Sequence, residues 1–214
     1  LILGMGGLGC PLLIYLASLG VGTIGIVDDD KVELSNLNRQ IIYNINDLGK
    51  YKVDVAKLRI KKINNRLNIK SFKIRINKKN VENLIKNFDI ICDGTDNFET
   101  RLLVNDYSLK QKKILISAAV NGFDGHLFKF DFRKKTPCYR CFMPEIPENN
   151  INCDVEGVIP TITGIMGTLQ ANEVLNSILN FNSDLEKKMI IFNSIKMSFR
   201  NVSLSKNKNC RNKC

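Results

Sequence analysis

Six residues near the start of the chain, Gly4-Met5-Gly6-Gly7-Leu8-Gly9, constrain its fold more than any other feature. An apolar run over residues 1–3 precedes them. A helical pattern follows over residues 8–19, with Pro11 near its first turn and Gly20 at its end. Strand, glycine-rich turn and helix in that order form a loop that accepts phosphate. The glycines permit a tight turn and let backbone N–H groups at the helix N-terminus approach an anion. Asp28 lies nineteen positions after Gly9, at the end of a second apolar run. An acidic side chain there is placed to accept hydrogen bonds from ribose hydroxyls. Gly4, Gly6, Gly7, Gly9 and Asp28 are therefore candidate nucleotide contacts, and alone they would favour NAD or FAD.

The following residues argue against a redox cofactor. Ser35-Asn36-Leu37-Asn38-Arg39-Gln40 comes directly after the second strand, and Lys52 opens the next helix. Both put cations near the carboxyl ends of the strands, where the ligand crevice of such folds lies. Thr95-Asp96-Asn97 follows a later strand on the same edge. Asp96 can hold Mg²⁺, which takes carboxylates together with substrate phosphates. Arg39, Lys52 and a magnesium ligand around one nucleotide suit phosphate chemistry on ATP rather than hydride transfer.

Apolar runs and helical patterns alternate through the first two-thirds of the chain, which predicts a largely parallel sheet covered by helices. Strands are expected at residues 23–27, 72–76, 88–92 and 114–120, and helices at 50–67, 81–86 and 98–110. Residues 125–132 then alternate like a half-exposed antiparallel strand. Residues 136–160 hold four of the five prolines and three cysteines and read as a long functional loop. An apolar helix over 161–179 and strands at 189–192 and 197–204 complete the pattern. The fold expected is a single α/β domain across residues 1–214, Rossmann-like, mainly parallel, with helices on both faces and an antiparallel, zinc-pinned C-terminal extension.

Seven cysteines make an awkward disulfide set, because one is left over. Two close pairs, Cys138/Cys141 and Cys210/Cys214, instead suggest a metal in a reducing compartment, at spacings allowed for structural zinc. Cys10 and Cys92 sit in apolar stretches and read as core residues. His126, the single histidine, reads as structural.

The net charge of +11 invites a nucleic-acid partner, but the Lys and Arg are scattered along the chain among many Asn and Ile. AT-rich codons give that mixture without any binding role, and no nucleic-acid partner is expected. No apolar run approaches a membrane span and no signal peptide is recognisable, so the cytoplasm is the expected compartment. The chain opens inside an apolar run without an initiating Met, and a preceding segment is expected.

Through GMGGLG, DDDKVELSNLNRQ, Lys52, DGTDN, CYRC and GIMGTLQANEVL the chain resembles the HesA/MoeB/ThiF family, bacterial relatives of ubiquitin-activating enzymes. The resemblance implies a homodimeric adenylyltransferase that uses ATP to adenylylate the C-terminal glycine of a ubiquitin-like sulfur carrier, MoaD or ThiS, for molybdopterin or thiamine biosynthesis. It matches Gly7, Asp28, Ser35, Asn36, Arg39, Lys52, Asp96 and Asn97 to the ATP-site motif, with Arg39, Lys52 and Asp96 catalytic. It assigns Cys138, Cys141, Cys210 and Cys214 to zinc, although three residues part the second pair where the family usually has two. In some members the residue matching Cys153 bonds covalently to the carrier. In the family a segment before the glycine loop also serves the partner subunit's active site. With the sequence ending at Cys214 and no sulfurtransferase domain in it, sulfur is expected from a separate cysteine desulfurase or rhodanese. Alternatives are a tRNA threonylcarbamoyladenosine dehydratase-like enzyme, an NAD- or FAD-binding oxidoreductase, and a zinc-ribbon nucleic-acid binder.

Overall fold

The computed structural model describes residues 1–145, 157–181 and 184–214. Eight strands form one sheet in the order β3-β2-β1-β4-β5-β6-β7-β8. The first five are β1 (Ile2–Leu3), β2 (Thr23–Val27), β3 (Asn68–Phe72), β4 (Ile90–Asp93) and β5 (Ile114–Asn121). Each pairs in parallel with its neighbours among these five. β6 (Asp124–Asp131), β7 (Lys188–Asn193) and β8 (Ser198–Ser203) add an antiparallel meander to β5.

Helices cover both faces. α1 (Gly9–Ser18), α2 (Lys52–Ile63) and α6 (Pro160–Ile178) contribute to one apolar cluster, including Leu12, Leu13, Val53, Ile60 and Met166. α3 (Val81–Ile85), α4 (Phe98–Lys110) and the short α5 (Tyr139–Phe142) contribute to the other, with Ile85, Leu102, Phe128 and Tyr139. Two buried faces explain why β1, β4 and β5 read as unbroken apolar runs. Cys10 and Cys92 lie in these cores, as expected. Among the described residues no helix is long and apolar enough to cross a membrane.

Two strands depart from the sequence reading. The third lies at Asn68–Phe72 rather than 72–76, because its register follows β2, with Thr23 opposite Asn68 and Val27 opposite Phe72. β6 is antiparallel as expected but almost wholly buried, not half-exposed. Its charged residue Lys129 is sheltered, with the ammonium 3.4 Å from Glu173 of α6. Partnering by a helix distant in sequence lets a charge occupy an interior position. Within the expected loop at 136–160, Tyr139–Phe142 is a helical turn and Val158 bridges Gly122. Cys153 lies outside the described residues.

Candidate nucleotide site and cysteine cluster

The chain enters the sheet at β1, builds β2 and β3 to one side, then crosses to β4 on the other. The crevice beyond the carboxyl ends of β1 and β4 is thus the switch point where α/β folds bind ligands. The glycine loop occupies it. Gly4 has φ +89°, and a Cβ on it would lie 3.0 Å from the Gly94 carbonyl oxygen, so the turns after β1 and β4 abut. A Cβ on Gly9 would fall 2.0 Å from the Gly4 carbonyl oxygen, and one on Gly7 would fall 2.7 Å from Thr163 Oγ1. Three of the loop's glycines are therefore required by the packing of loop against turn, loop against itself, and loop against α6.

Asp28 stands where β2 ends. Its Oδ2 accepts the Met5 N–H at 2.7 Å and its Oδ1 accepts the Asp30 N–H at 2.8 Å. Burial pushes this carboxyl above its ordinary range, while the nearby Lys52 ammonium and the two N–H donors work against that shift. Lys52 is the first residue of α2 and is buried, with Nζ 2.8 Å from Asp30 Oδ2. Asp30 itself is largely in solvent, its side chain 63% exposed. A buried ammonium thus pairs with one exposed carboxylate and lies near the Asp28 carboxyl that holds the loop. Arg39, on the segment after β2, donates from Nη1 to the Ser35 carbonyl oxygen at 3.2 Å and to Asn38 Oδ1 at 3.1 Å. Asn36 Nδ2 reaches Ser35 Oγ at 3.4 Å.

Across the crevice, Asn97 caps α4, its Oδ1 accepting the Thr100 N–H at 2.8 Å. Asp96 is exposed, and its Oδ1 takes a long 3.4 Å contact from Asn97 Nδ2. A carboxylate open to solvent beside the glycine loop suits a partly hydrated Mg²⁺. The structure brings Gly4 and the 94–97 turn together, and likewise Asp28, Asp30 and Lys52. Arg39 sits on its own loop, bonded to its neighbours.

Sequence reasoning missed a buried polar network under the 95–97 turn. Asp93 Oδ1 accepts both Thr95 N–H (3.0 Å) and Thr95 Oγ1–H (2.7 Å), and its Oδ2 accepts the Ser117 hydroxyl at 2.7 Å. Arg101 joins it, 3.4 Å from Asp93 Oδ2. Gln170 of α6 donates to the Asp93 and Ile116 carbonyls at 3.0 and 2.8 Å, tying the end of β4 to the first half of β5. No local signal marks the network, because the buried side of α4 carries Asn105 and Ser108 beside Leu102 and Val104, and Arg101 does not stand out among them. His126, on β6, is half-buried and its pKa is lowered by burial, with Asp124 opposing the shift.

The cysteine pairs converge away from the crevice. The sulfurs of Cys138, Cys141, Cys210 and Cys214 all lie within 4.8 Å of one another. Cys138 and Cys210 are 3.7 Å apart, Cys210 and Cys214 3.9 Å, Cys141 and Cys214 3.2 Å. Zinc–sulfur bonds of about 2.3 Å in a tetrahedron separate the sulfurs by about 3.8 Å. The donor set fits zinc, and the longer spacing before Cys214 does not keep it away. Burial pushes the Cys138 thiol up to about 11, a penalty that a bound dication would remove.

The model of the ThiF family matches residues 1–212. The probable molybdopterin-synthase adenylyltransferase of Porphyra purpurea is 42% identical, the match covering 95% of this chain and 54% of that protein. The adenylyltransferase and sulfurtransferase MOCS3 of Culex quinquefasciatus is 39% identical, covering 95% and 47%. The chain therefore spans about half the length of these two relatives. It covers 79% of the sulfur carrier protein adenylyltransferase of Thermus thermophilus, which is 34% identical. Among solved structures, E. coli MccB with ATP superposes with a TM-score of 0.85 at 25% identity, over 99% of this chain and 65% of that one.

Proposed function

Because this chain belongs to the ThiF family, we propose that it uses ATP to adenylylate the C-terminal carboxylate of a ubiquitin-like sulfur carrier. The observation that carries the reading is the buried Lys52 ammonium beside a glycine loop at the sheet's switch point. Two of the named relatives are a probable molybdopterin-synthase adenylyltransferase and a sulfur carrier protein adenylyltransferase, and the third is an adenylyltransferase and sulfurtransferase, which supports this reading over the dehydratase and redox alternatives. Asp28 also spends an oxygen on the Met5 N–H, so it serves the loop's shape as well as any ribose.

In the reaction, a carboxylate oxygen of the carrier bonds to the α-phosphorus, the bond to the β-phosphate oxygen breaks, and pyrophosphate leaves. The attacking group is already ionised near neutral pH, so no general base is required. Rate must then come from positioning and from cations that offset the meeting of two anions. The backbone N–H groups of Gly6 and Gly7 cradle phosphate, since those of Gly4 and Met5 are held by the Val27 carbonyl and by Asp28. Lys52 and Arg39 neutralise phosphate charge, Ser35 and Asn36 orient the α-phosphate, and Asp28 fixes the ribose. Asp96, helped by Asn97, would hold Mg²⁺, whose charge would stabilise the departing pyrophosphate.

Zinc at Cys138, Cys141, Cys210 and Cys214 would be structural, since four thiolates leave no open coordination position. A covalent bond from Cys153 to the carrier, formed as the Cys153 thiolate attacks the adenylylated carboxyl carbon and the bond to AMP breaks, belongs to the same proposal, and a Cys153→Ser protein that still supports thiocarboxylate formation rejects it. The reading includes a homodimer, for which the exposed Leu34, Ile41 and Ile45 offer apolar surface, and sulfur from a cysteine desulfurase or rhodanese. The test is ATP–pyrophosphate exchange with MoaD-like and ThiS-like carriers offered separately. Exchange with one carrier, abolished by Arg39→Ala and by Asp96→Ala, is expected; near-normal exchange in either variant overturns the assignment.

A further inference from the structure

α4 joins the two halves of the molecule's chemistry. Its N-terminus carries the Asp96–Asn97 turn, and its second half grips both arms of the cysteine cluster. Asn105 Oδ1 accepts the Tyr139 N–H at 2.9 Å. The Asp106 carboxylate accepts Arg140 Nε and Nη2, each at 2.7 Å, and Asn212 Nδ2 at 2.7 Å. Tyr139 and Arg140 lie between the first two cysteines, and Asn212 between the second two.

Arg101 stands one turn into the same helix with its side chain 5% exposed. Its Nη1 donates to Ser117 Oγ at 2.7 Å and to the Ala118 carbonyl at 3.0 Å. Its Nη2 donates to the Thr95 carbonyl, the residue immediately before Asp96. The guanidinium also lies 5.8 Å from the centre of the Tyr139 ring. A planar fork with fixed donors can hold a strand end and a turn at once, which an ammonium cannot.

We propose that Arg101 is a positioning residue that fixes the 95–97 turn for Mg²⁺-nucleotide, and that Tyr139 makes this hold depend on metal at the four cysteines. α5 has four residues, far too few to be helical unaided, so Tyr139 is kept in place by the flanking cysteines, by the Asn105 hydrogen bond and by its ring's packing on Phe128 and Phe130. The inference rests on the nucleotide reading above. Its thermodynamic consequence is reciprocal: whatever metal loading does for Mg²⁺-ATP affinity, Mg²⁺-ATP must do for metal retention.

The experiment uses the zinc-loaded full chain and titration calorimetry with Mg²⁺-ATP and, separately, AMP without Mg²⁺. Tyr139→Leu and Arg101→Lys are expected to weaken Mg²⁺-ATP binding about three- to tenfold and to leave AMP unchanged, while Tyr139→Phe retains wild-type affinity. Mg²⁺-ATP is also expected to slow zinc loss to a chelator in the wild type and not in Arg101→Lys. Equal losses for AMP and Mg²⁺-ATP, unchanged Mg²⁺-ATP affinity in both variants, or zinc release indifferent to nucleotide would each overturn the proposal. Wild-type protein that binds no Mg²⁺-ATP overturns the nucleotide reading as well, so the two failures are distinct.

Discussion

The Asp28 carboxylate accepts the Met5 N–H at 2.7 Å, so the residue that follows β2 holds the shape of the loop that follows β1. A second oxygen holds the Asp30 N–H, which places the carboxylate that pairs with Lys52. Charge-assisted bonds of this kind contribute about 1.5–3 kcal/mol each. Asp28→Ala is therefore expected to lower ATP affinity at least tenfold, measured by calorimetry. Unchanged affinity would remove Asp28 from the loop's support and from the ribose.

Lys52 presents a contrasting case. Its partner Asp30 is mostly in water, and the half-buried Asp28 carboxyl nearby keeps its two N–H donors, so removing the ammonium strands no charge without a partner. Lys52→Met, similar in length and apolar, is expected to keep its melting temperature within a few degrees of wild type and to lose ATP–pyrophosphate exchange by about two orders of magnitude or more. A variant that unfolds instead would mark Lys52 as a structural residue.

These two residues were legible because their signals are local: a glycine turn, an acidic strand end, a Lys opening a helix. The alternation of strands and helices was legible for the same reason, since β1, β4 and β5 are buried on both faces and read as apolar runs. The misplaced third strand is set by hydrogen bonding to β2, a register that the alternating apolar and charged residues 72–76 do not encode. Lys129 made β6 look half-exposed because Glu173, the residue that shelters it, arrives from a helix far along the chain. Arg101 was illegible because its partners Asp93, Thr95 and Ser117 come from two strands and a turn, and meet only when the sheet is built.

Acid stability offers a test at the end of the strands opposite the crevice, where Asp131 of β6 pairs with Ile114 at the start of β5. Arg133 donates from Nε and Nη2 to Asp131 at 2.8 and 2.7 Å and holds that carboxyl below its ordinary 3.8. In this range the unfolded chain binds the proton that the folded chain refuses, so stability rises with pH. The contribution is complete above 3.8 and disappears as pH falls through the lower folded value. Arg133 is 55% exposed, which screens the pair and limits its worth to about 1 kcal/mol. Asp131→Asn should cost about that much in urea denaturation near neutral pH, with the gap closing in acid. A gap that is constant with pH would assign the loss to packing.

The glycines of the loop separate steric need from ligand need. At Gly9 a methyl group would overlap the Gly4 carbonyl oxygen at 2.0 Å, backbone against backbone, and Gly9→Ala should fail to fold. At Gly7 the obstacle is the Thr163 side chain, 2.7 Å away, so Gly7→Ala should cost about 1–3 kcal/mol. Thr163→Gly should recover part of that cost in a double-mutant cycle despite its own helix penalty of about 1 kcal/mol. At Gly6 the nearest atom is Gln40 Nε2 at 3.7 Å, an ordinary contact, and φ is not in the left-handed region. The methyl of Gly6→Ala thus makes only that ordinary contact in the protein but would sit on the loop assigned to phosphate. The expected result is a wild-type melting temperature with ATP affinity lowered about tenfold or more. Full affinity in Gly6→Ala would mean that phosphate does not lie over Gly6, and a folding defect would mean that the loop packs more tightly there than its contacts indicate.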